Sequence, residues 1–146
     1  MTESNSVQSG YQSSPPNPAL KKLDKLVGTW EVSGGAQGRV TYEWMDGGFF
    51  LIQYVDLNDN KGMELIGYGR SWEGVESPDC VSHYFDNKGN LFNYVYDMED
   101  DTLTIWGGQR GSPAYYKGTF SEDGNTLTGS WVYPGGGYES TSTRVK

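Results

Sequence analysis

The sequence predicts an all-β domain: a closed antiparallel up-and-down β-barrel of about ten strands, with one short N-terminal helix capping an end. Glycine supplies 21 of the 146 residues and aromatic residues supply 14%, a turn-rich and strand-rich composition. Clusters of turn residues recur after Gly28 and divide the chain into segments of about 12 residues, the spacing of a meander sheet. Several of these segments alternate apolar and polar residues.

The single helix is predicted over residues 18–27. Asn17 suits the N-cap, Pro18 suits the first helical position and Gly28 suits the C-terminal stop. One stripe of this helix is apolar, so the helix needs a surface to cover. The stripe consists of Leu20, Leu23, Leu26 and Val27.

The strands are recognised by their alternation, which is clearest in residues 39–44 and 127–131 and weaker in 90–96. No segment between the turn clusters is long enough for a crossover helix, so consecutive strands pair as hairpins. An open sheet of this kind would leave two exposed edges. We therefore expect the first strand to pair with the last and close the barrel.

A central strand is predicted from Met63 to Trp72, and its two faces differ. If the face with charged and aromatic residues points inward, Tyr68, Arg70 and Trp72 form a polar-aromatic wall. If it points outward, Gly67 and Gly69 on the other face mark bends in the barrel. The first arrangement is slightly favoured. The charged and aromatic face comprises Glu64, Ile66, Tyr68, Arg70 and Trp72.

Charge and cysteine content narrow the function classes. The formal net charge is −8 and no basic cluster exists, which argues against nucleic-acid and membrane partners. The single cysteine, Cys80, cannot form an intrachain disulfide, and the N-terminus lacks the pattern of a signal peptide. We expect a cytoplasmic protein with a disordered arm over residues 1–17 and one barrel domain over residues 18–146.

The helix followed by Gly28-Thr29-Trp30 resembles the entry of the calycin superfamily, which includes lipocalins, fatty-acid-binding proteins and nitrobindins. In many lipocalins an arginine of the last strand packs over that tryptophan, and Arg144 has the corresponding position here. The resemblance implies structural roles for Trp30 and Arg144. Residues 82–89 and 126–131 further resemble a branch of bacterial calycin-like proteins. One fold hosts many roles, so the resemblance implies architecture rather than an activity.

Acid–base chemistry would first involve His83, the only histidine, although a lone histidine is more often structural. Cys80 lies three residues earlier, on the opposite face of a regular strand, which argues against a Cys-His dyad. The paired acids at 99–101 and 122–123 fall in predicted turns, and no recognised metal-ligand spacing occurs. No metal site is expected.

Haem is raised by the resemblance to nitrobindins, in which a histidine in the C-terminal part of the barrel holds it. No histidine follows His83 in this chain, so that ligand has no counterpart. A haem would require Tyr133, Tyr138 or His83 instead. We therefore expect no cofactor.

The leading hypothesis is a barrel that binds a small, largely apolar or aromatic molecule in its cavity. One alternative is a barrel enzyme of the cyclase or isomerase type, using His83, Arg70 and a buried tyrosine. Another is a packed barrel that acts through its surface or as a homodimer. The residues expected to supply the cavity wall are Trp44, Tyr54, Tyr68, Arg70, Trp72, His83, Tyr94, Tyr96, Trp106, Tyr116 and Trp131.

Overall fold

The structure is a computed structural model that describes residues 14–145. This part of the chain forms one 3₁₀ helix and ten strands. In chain order they are the helix Pro18–Leu26, β1 (Gly28–Gly34), β2 (Gly38–Trp44), β3 (Phe50–Leu57), β4 (Asn60–Gly67), β5 (Cys80–Asp86), β6 (Leu91–Glu99), β7 (Thr102–Gly107), β8 (Tyr115–Phe120), β9 (Thr126–Tyr133) and β10 (Gly136–Arg144).

The strands form a closed antiparallel barrel in which each strand pairs with its neighbours in sequence. β1 also pairs with β10, from Trp30 opposite Arg144 to Gly34 opposite Ser140. The predicted fold class and its closure are therefore confirmed. Closure pairs the two edges that a meander would otherwise leave exposed.

The helix covers one end of the barrel, as predicted, but it is a 3₁₀ helix rather than an α-helix. The Asn17 side chain caps it by accepting a hydrogen bond of 2.9 Å from the Ala19 backbone N–H. Its leucines pack into the core cluster that also contains Trp30. This end of the barrel is closed by apolar packing, with Leu20, Leu23 and Leu26 all buried.

Arg144 links the helix to the barrel. Its guanidinium carbon lies 4.2 Å from the centroid of the buried Trp30 ring. The same group donates to the backbone carbonyls of Lys25 and Val27 at the end of the helix. The Trp30 indole N–H in turn donates to the Leu26 carbonyl at 2.8 Å. The geometry expected of these two residues is thus present.

The predicted strand 63–72 needs a correction, because β4 ends at Gly67. Glu64 and Ile66 do point inward and are buried. Beyond Gly67 the chain leaves the sheet and folds back on itself, with an isolated bridge between Arg70 and Glu76. The inward alternation therefore stops before it reaches Arg70.

The predicted arm 1–17 lies mainly outside the described residues, which begin at Ser14. The Arg70 side chain donates to the carbonyls of Ser14 and Pro15, at 3.2 and 2.9 Å. This short stretch thus contacts the closed end of the barrel. Within residues 14–145, no helix is long and apolar enough to span a membrane.

Candidate functional site

A cavity of about 420 Å³ occupies the half of the barrel opposite the helix. It extends to the hairpin turns at that end, where Ala36, Asn60 and Asn90 contribute to its rim. Because this volume lies between the inward side chains, the interior is not completely filled. The cavity is the best candidate for a functional site in the part of the chain that the structure describes.

Aromatic rings form much of the cavity wall. Tyr94 and Tyr116 both pack against Trp131, with ring centroids 5.9 and 5.6 Å apart. Tyr84 stacks on Phe92 at 6.0 Å. Such tilted and stacked pairs are favourable ring geometries that hold the wall in place. Further rings come from Tyr42 and Tyr96, and from Tyr133 and Tyr138 toward the opening.

Two glycines make room for one of these rings. Gly118 of β8 lies opposite Gly129 of β9, and a methyl group on either would overlap Tyr116. The hydroxyl end of Tyr116 therefore lies close over the backbone of these two glycines, where no side chain intervenes. This arrangement gives the glycines a packing role rather than a turn role.

A buried carboxyl group lies in the cavity wall. Glu64 is only 4% exposed, and its Oε2 accepts hydrogen bonds from Ser82 Oγ at 2.5 Å and from Tyr96 Oη at 2.9 Å. Within residues 14–145, no hydrogen-bond donor contacts the second oxygen, Oε1, and no side-chain polar atom is both fully buried and unpartnered. Oε1 is therefore open to the cavity that Glu64 lines.

Burial raises the pKa of Glu64 from 4.5 to about 7, because the charged form loses its hydration. The hydrogen bonds from Ser82 and Tyr96 lower the pKa and offset only part of this effect. The carboxyl group is thus poised to lose or gain a proton near neutral pH.

A second hydrogen-bonded pair lies beside Glu64. Gln53 faces Glu64 across the β3–β4 pairing, and its side-chain N–H donates to Tyr42 Oη at 2.8 Å. Burial raises the pKa of Tyr42 and of Tyr96 far above their ordinary range. These phenols therefore remain neutral and act as hydrogen-bonding groups. Together they form a polar belt across strands β2 to β6.

Asp86 supplies a second carboxylate, nearer the opening. It accepts hydrogen bonds from the Asn90 side chain at 3.0 Å and from Tyr84 Oη at 3.1 Å. These bonds, with the Asn90 contribution largest, lower its pKa. The described cavity wall includes no lysine, arginine or histidine. The charged side chains of the wall are therefore Glu64 and Asp86, both of them acidic.

Four of the residues predicted for the cavity wall do line it. They are Tyr94, Tyr96, Tyr116 and Trp131, brought together from β6, β8 and β9. The ligand-binding role of each remains a prediction.

Three other predicted residues lie on the outer face of the barrel. Tyr54 is 40% exposed and contacts Glu43, while Trp106 lies under the Arg110 guanidinium at 4.9 Å. His83 is exposed, and its Nδ1 is 2.7 Å from the Asn93 side-chain oxygen. All three occupy strand positions whose alternation is opposite to that of the cavity wall.

The remaining four lie at the closed end. Trp44 donates its indole N–H to Asp24 of the helix at 2.8 Å. Tyr68 borders a separate small space of about 40 Å³ near the helix. Arg70 lies over the Phe49 ring at 4.7 Å, and Trp72 is 83% exposed. The cavity proposed below includes none of these four.

Two chemical expectations can be compared with the geometry. Cys80 is buried on the inward face and His83 is exposed on the outward face, so the two do not form a dyad. Because His83 points away from the cavity, it does not fit as a ligand for haem bound inside. In residues 14–145 no group of three or more His, Cys, Asp or Glu side chains could hold a metal ion.

Sequence reasoning missed Tyr42, Gln53 and Tyr84, and it did not single out Glu64 as chemically important. The signal for Glu64 was present, since it alternates with Ile66 on one face of a strand. An acid in such a position is either on the outer face or buried for a reason. Knowing which face was inside required the pairing of all ten strands.

Comparison of the chain with protein-family models gives no match, and comparison with curated proteins gives no significant match. The cavity and its chemistry are therefore the observations from which a function is proposed.

Proposed function

We propose that this protein binds a small, largely aromatic or apolar molecule in the barrel cavity. The observation that carries the proposal is the aromatic-lined cavity of about 420 Å³, open opposite the helix. Ligand pockets commonly have volumes of roughly 300–1,000 Å³, apolar and aromatic walls and a few polar groups that orient the ligand. The polar belt around Glu64 supplies such polar groups here.

The barrel architecture supports the same proposal. A closed ten-stranded barrel with a helix at one end is compatible with a calycin-like protein. The packing of Arg144 over Trp30 agrees with the resemblance of Gly28-Thr29-Trp30 to that superfamily. We propose membership of the calycin superfamily on these grounds. A cytoplasmic location is proposed separately, because the single cysteine, Cys80, cannot form an intrachain disulfide.

The binding proposal is tested with N-phenyl-1-naphthylamine, a neutral aromatic dye whose fluorescence increases in apolar sites. We expect saturable binding of one dye per chain. Ser140→Trp places a large ring in the cavity, because Ser140 lines it. This variant should weaken dye binding by about tenfold or more, since the ring occupies ligand space.

The matched control is Thr141→Trp, which places the same ring on the adjacent, outward position of β10. It should bind the dye like the wild-type protein. Absence of saturable dye binding, or equal binding by both tryptophan variants, would contradict the proposal. Circular dichroism and thermal unfolding confirm that both variants are folded.

An isomerase-type activity is a second candidate, favoured by one observation. Glu64 is a carboxyl group in an aromatic cavity, and its pKa of about 7 suits proton transfer at neutral pH. The test is exchange of the α-hydrogens of 2-tetralone with deuterated water, followed by mass spectrometry. Exchange should exceed the buffer rate, fall in Glu64→Gln and persist in His83→Gln. A wild-type rate equal to that of buffer contradicts this candidate.

A further inference from the structure

The charged side chains of the cavity wall are all acidic. Two carboxyl side chains, Glu64 and Asp86, belong to its wall, and within the described residues no cationic side chain does. An anionic ligand such as a fatty-acid carboxylate would meet two acidic groups and no positive partner. Ligands with a carboxylate or phosphate group are therefore disfavoured.

Glu64 retains an unused acceptor. Both of its hydrogen bonds go to Oε2, while Oε1 faces the cavity without a donor from residues 14–145. A buried carboxylate is costly unless its oxygens are paired. A ligand that carries a positive N–H donor would complete this pairing with a charge-assisted hydrogen bond.

The rings around Glu64 suit a cation as well. Tyr84 lies opposite Glu64 in the β4–β5 pairing, and Tyr42 and Tyr96 flank the carboxyl group on β2 and β6. Ring faces carry negative electrostatic potential, so they attract ammonium groups. The carboxylate and the rings thus favour the same kind of ligand.

We infer that the cavity selects ligands that carry a protonated amine on an aromatic or apolar body, with Glu64 as the partner of the amine. This inference rests on the proposed function and specifies its ligand class. Asp86 near the opening and the net charge of −8 add long-range attraction for cations.

The pH dependence of binding isolates Glu64. The titratable groups that face it are Tyr42 of β2, Cys80 and Tyr84 of β5, and two tyrosines of β6. Burial raises the pKa of each of these groups above its ordinary value, so all stay neutral between about pH 6 and 8. A change in affinity in this range that is lost in Glu64→Gln therefore reports the ionisation of Glu64.

The probes are 2-phenylethylamine and 2-phenylethanol, which share a ring and an ethyl chain but differ in charge. Each is titrated against the bound naphthylamine dye. In wild-type protein the amine should displace the dye, and its affinity should rise about tenfold from pH 6 to 8, because it pairs with the ionised carboxylate. The alcohol should show no such rise.

Glu64→Gln keeps the size of the side chain and removes its charge. This variant should weaken amine binding by about tenfold or more and change alcohol binding by less than about threefold. Glu43→Gln is the matched control: it removes the same unit of charge from an exposed position on the outer face. It should leave the affinity for the amine unchanged.

The outcomes separate this inference from the proposed function. If the dye binds but the amine fails to displace it, or loses no more affinity in Glu64→Gln than the alcohol does, the amine assignment is overturned and ligand binding stands. Tighter amine binding at lower pH also overturns it, because the amine would then bind better when Glu64 is uncharged. If the dye itself does not bind, both proposals fail.

Discussion

Glu64 shows how one residue can oppose folding and yet define a site. Its carboxyl group is buried, and hydrogen bonds from Ser82 and Tyr96 compensate only partly for the lost hydration. A glutamine would fill the same space without a charge to bury. We therefore propose that the acid serves the binding role proposed for the cavity.

The stability of the protein should reveal this cost. Between about pH 4.5 and 7 the folded state holds a proton on Glu64 that the unfolded state has lost, so raising the pH lowers the free energy of unfolding. Relative to Glu64→Gln, wild-type protein should lose about 2–3 kcal/mol between about pH 5 and 8. Urea unfolding at both pH values measures this difference.

The control for this measurement is again Glu43→Gln, because its position is exposed. Its stability relative to wild type should change little over the same pH range. A wild-type minus Glu64→Gln difference that is equal at both pH values would contradict the raised pKa of Glu64.

Arg144 provides a second test at this scale. It contacts the Trp30 ring and donates to carbonyls at the end of the helix and to the Gly124 carbonyl at 3.1 Å. Arg144→Lys keeps the charge but cannot reproduce the planar fork of donors. We expect it to lower the free energy of unfolding by about 1–3 kcal/mol in urea titrations. Wild-type stability in this variant would show that charge alone suffices.

At the scale of elements, the helix acts as a hydrophobic plug. Leu23 is 3% exposed, so Leu23→Ala should lower the free energy of unfolding by about 2–4 kcal/mol through lost burial and a new cavity. Lys21→Ala changes an exposed position on the same helix and should cost less than about 0.5 kcal/mol. Similar losses in the two variants would mean that the helix is not packed as described.

Strands β8 and β9 line the cavity, and their glycines Gly118 and Gly129 also leave space for the Tyr116 ring. Gly118→Ala should push the Tyr116 ring toward the cavity and weaken dye binding by about threefold or more, since the added methyl overlaps the ring. Gly107→Ala is the control, because a methyl there makes only ordinary contacts with Ala114. Equal dye affinities in the two variants would contradict this role of Gly118.

At the scale of the whole molecule, closure of the barrel determines how local stability is distributed among the strands. The pairing of β1 with β10 means that neither strand is an edge. Amide hydrogens of β1 and β10 should therefore exchange within about tenfold of the rates in β5 and β6, as measured by mass spectrometry of peptides. Exchange of β1 and β10 that is faster by several orders of magnitude would indicate an open sheet.

Much of this architecture could be predicted from local sequence signals. The turn clusters predicted the number of strands, because glycine and short polar residues provide the backbone conformations that tight turns require. The spacing of the leucines and the Asn17-Pro18 pair predicted the helix near its observed bounds. Trp30 and Arg144 were expected to meet, and the register of β1 with β10 places them opposite each other.

The site was less accessible to such reasoning. Alternation shows which residues share a face, but not which face is inside, because the same alternating pattern results whichever face points inward. Tyr54 and His83 were therefore placed in the expected wall although they lie outside. Arg70 and Trp72 were misplaced for another reason: the strand ends at Gly67, and no local signal there is as strong as a turn cluster.

The sequence by itself determined the strand count, the helix and the acidic character of the chain, because each follows from local conformational preference or from composition. It also predicted the closed barrel, because a meander of ten strands would otherwise leave two edges unpaired. Only the tertiary structure decided that Glu64 is buried with one oxygen open, and that its nearest polar groups are a serine hydroxyl and neutral phenols. The environment of a carboxyl group is assembled from strands far apart in the chain, and its chemistry depends on that environment.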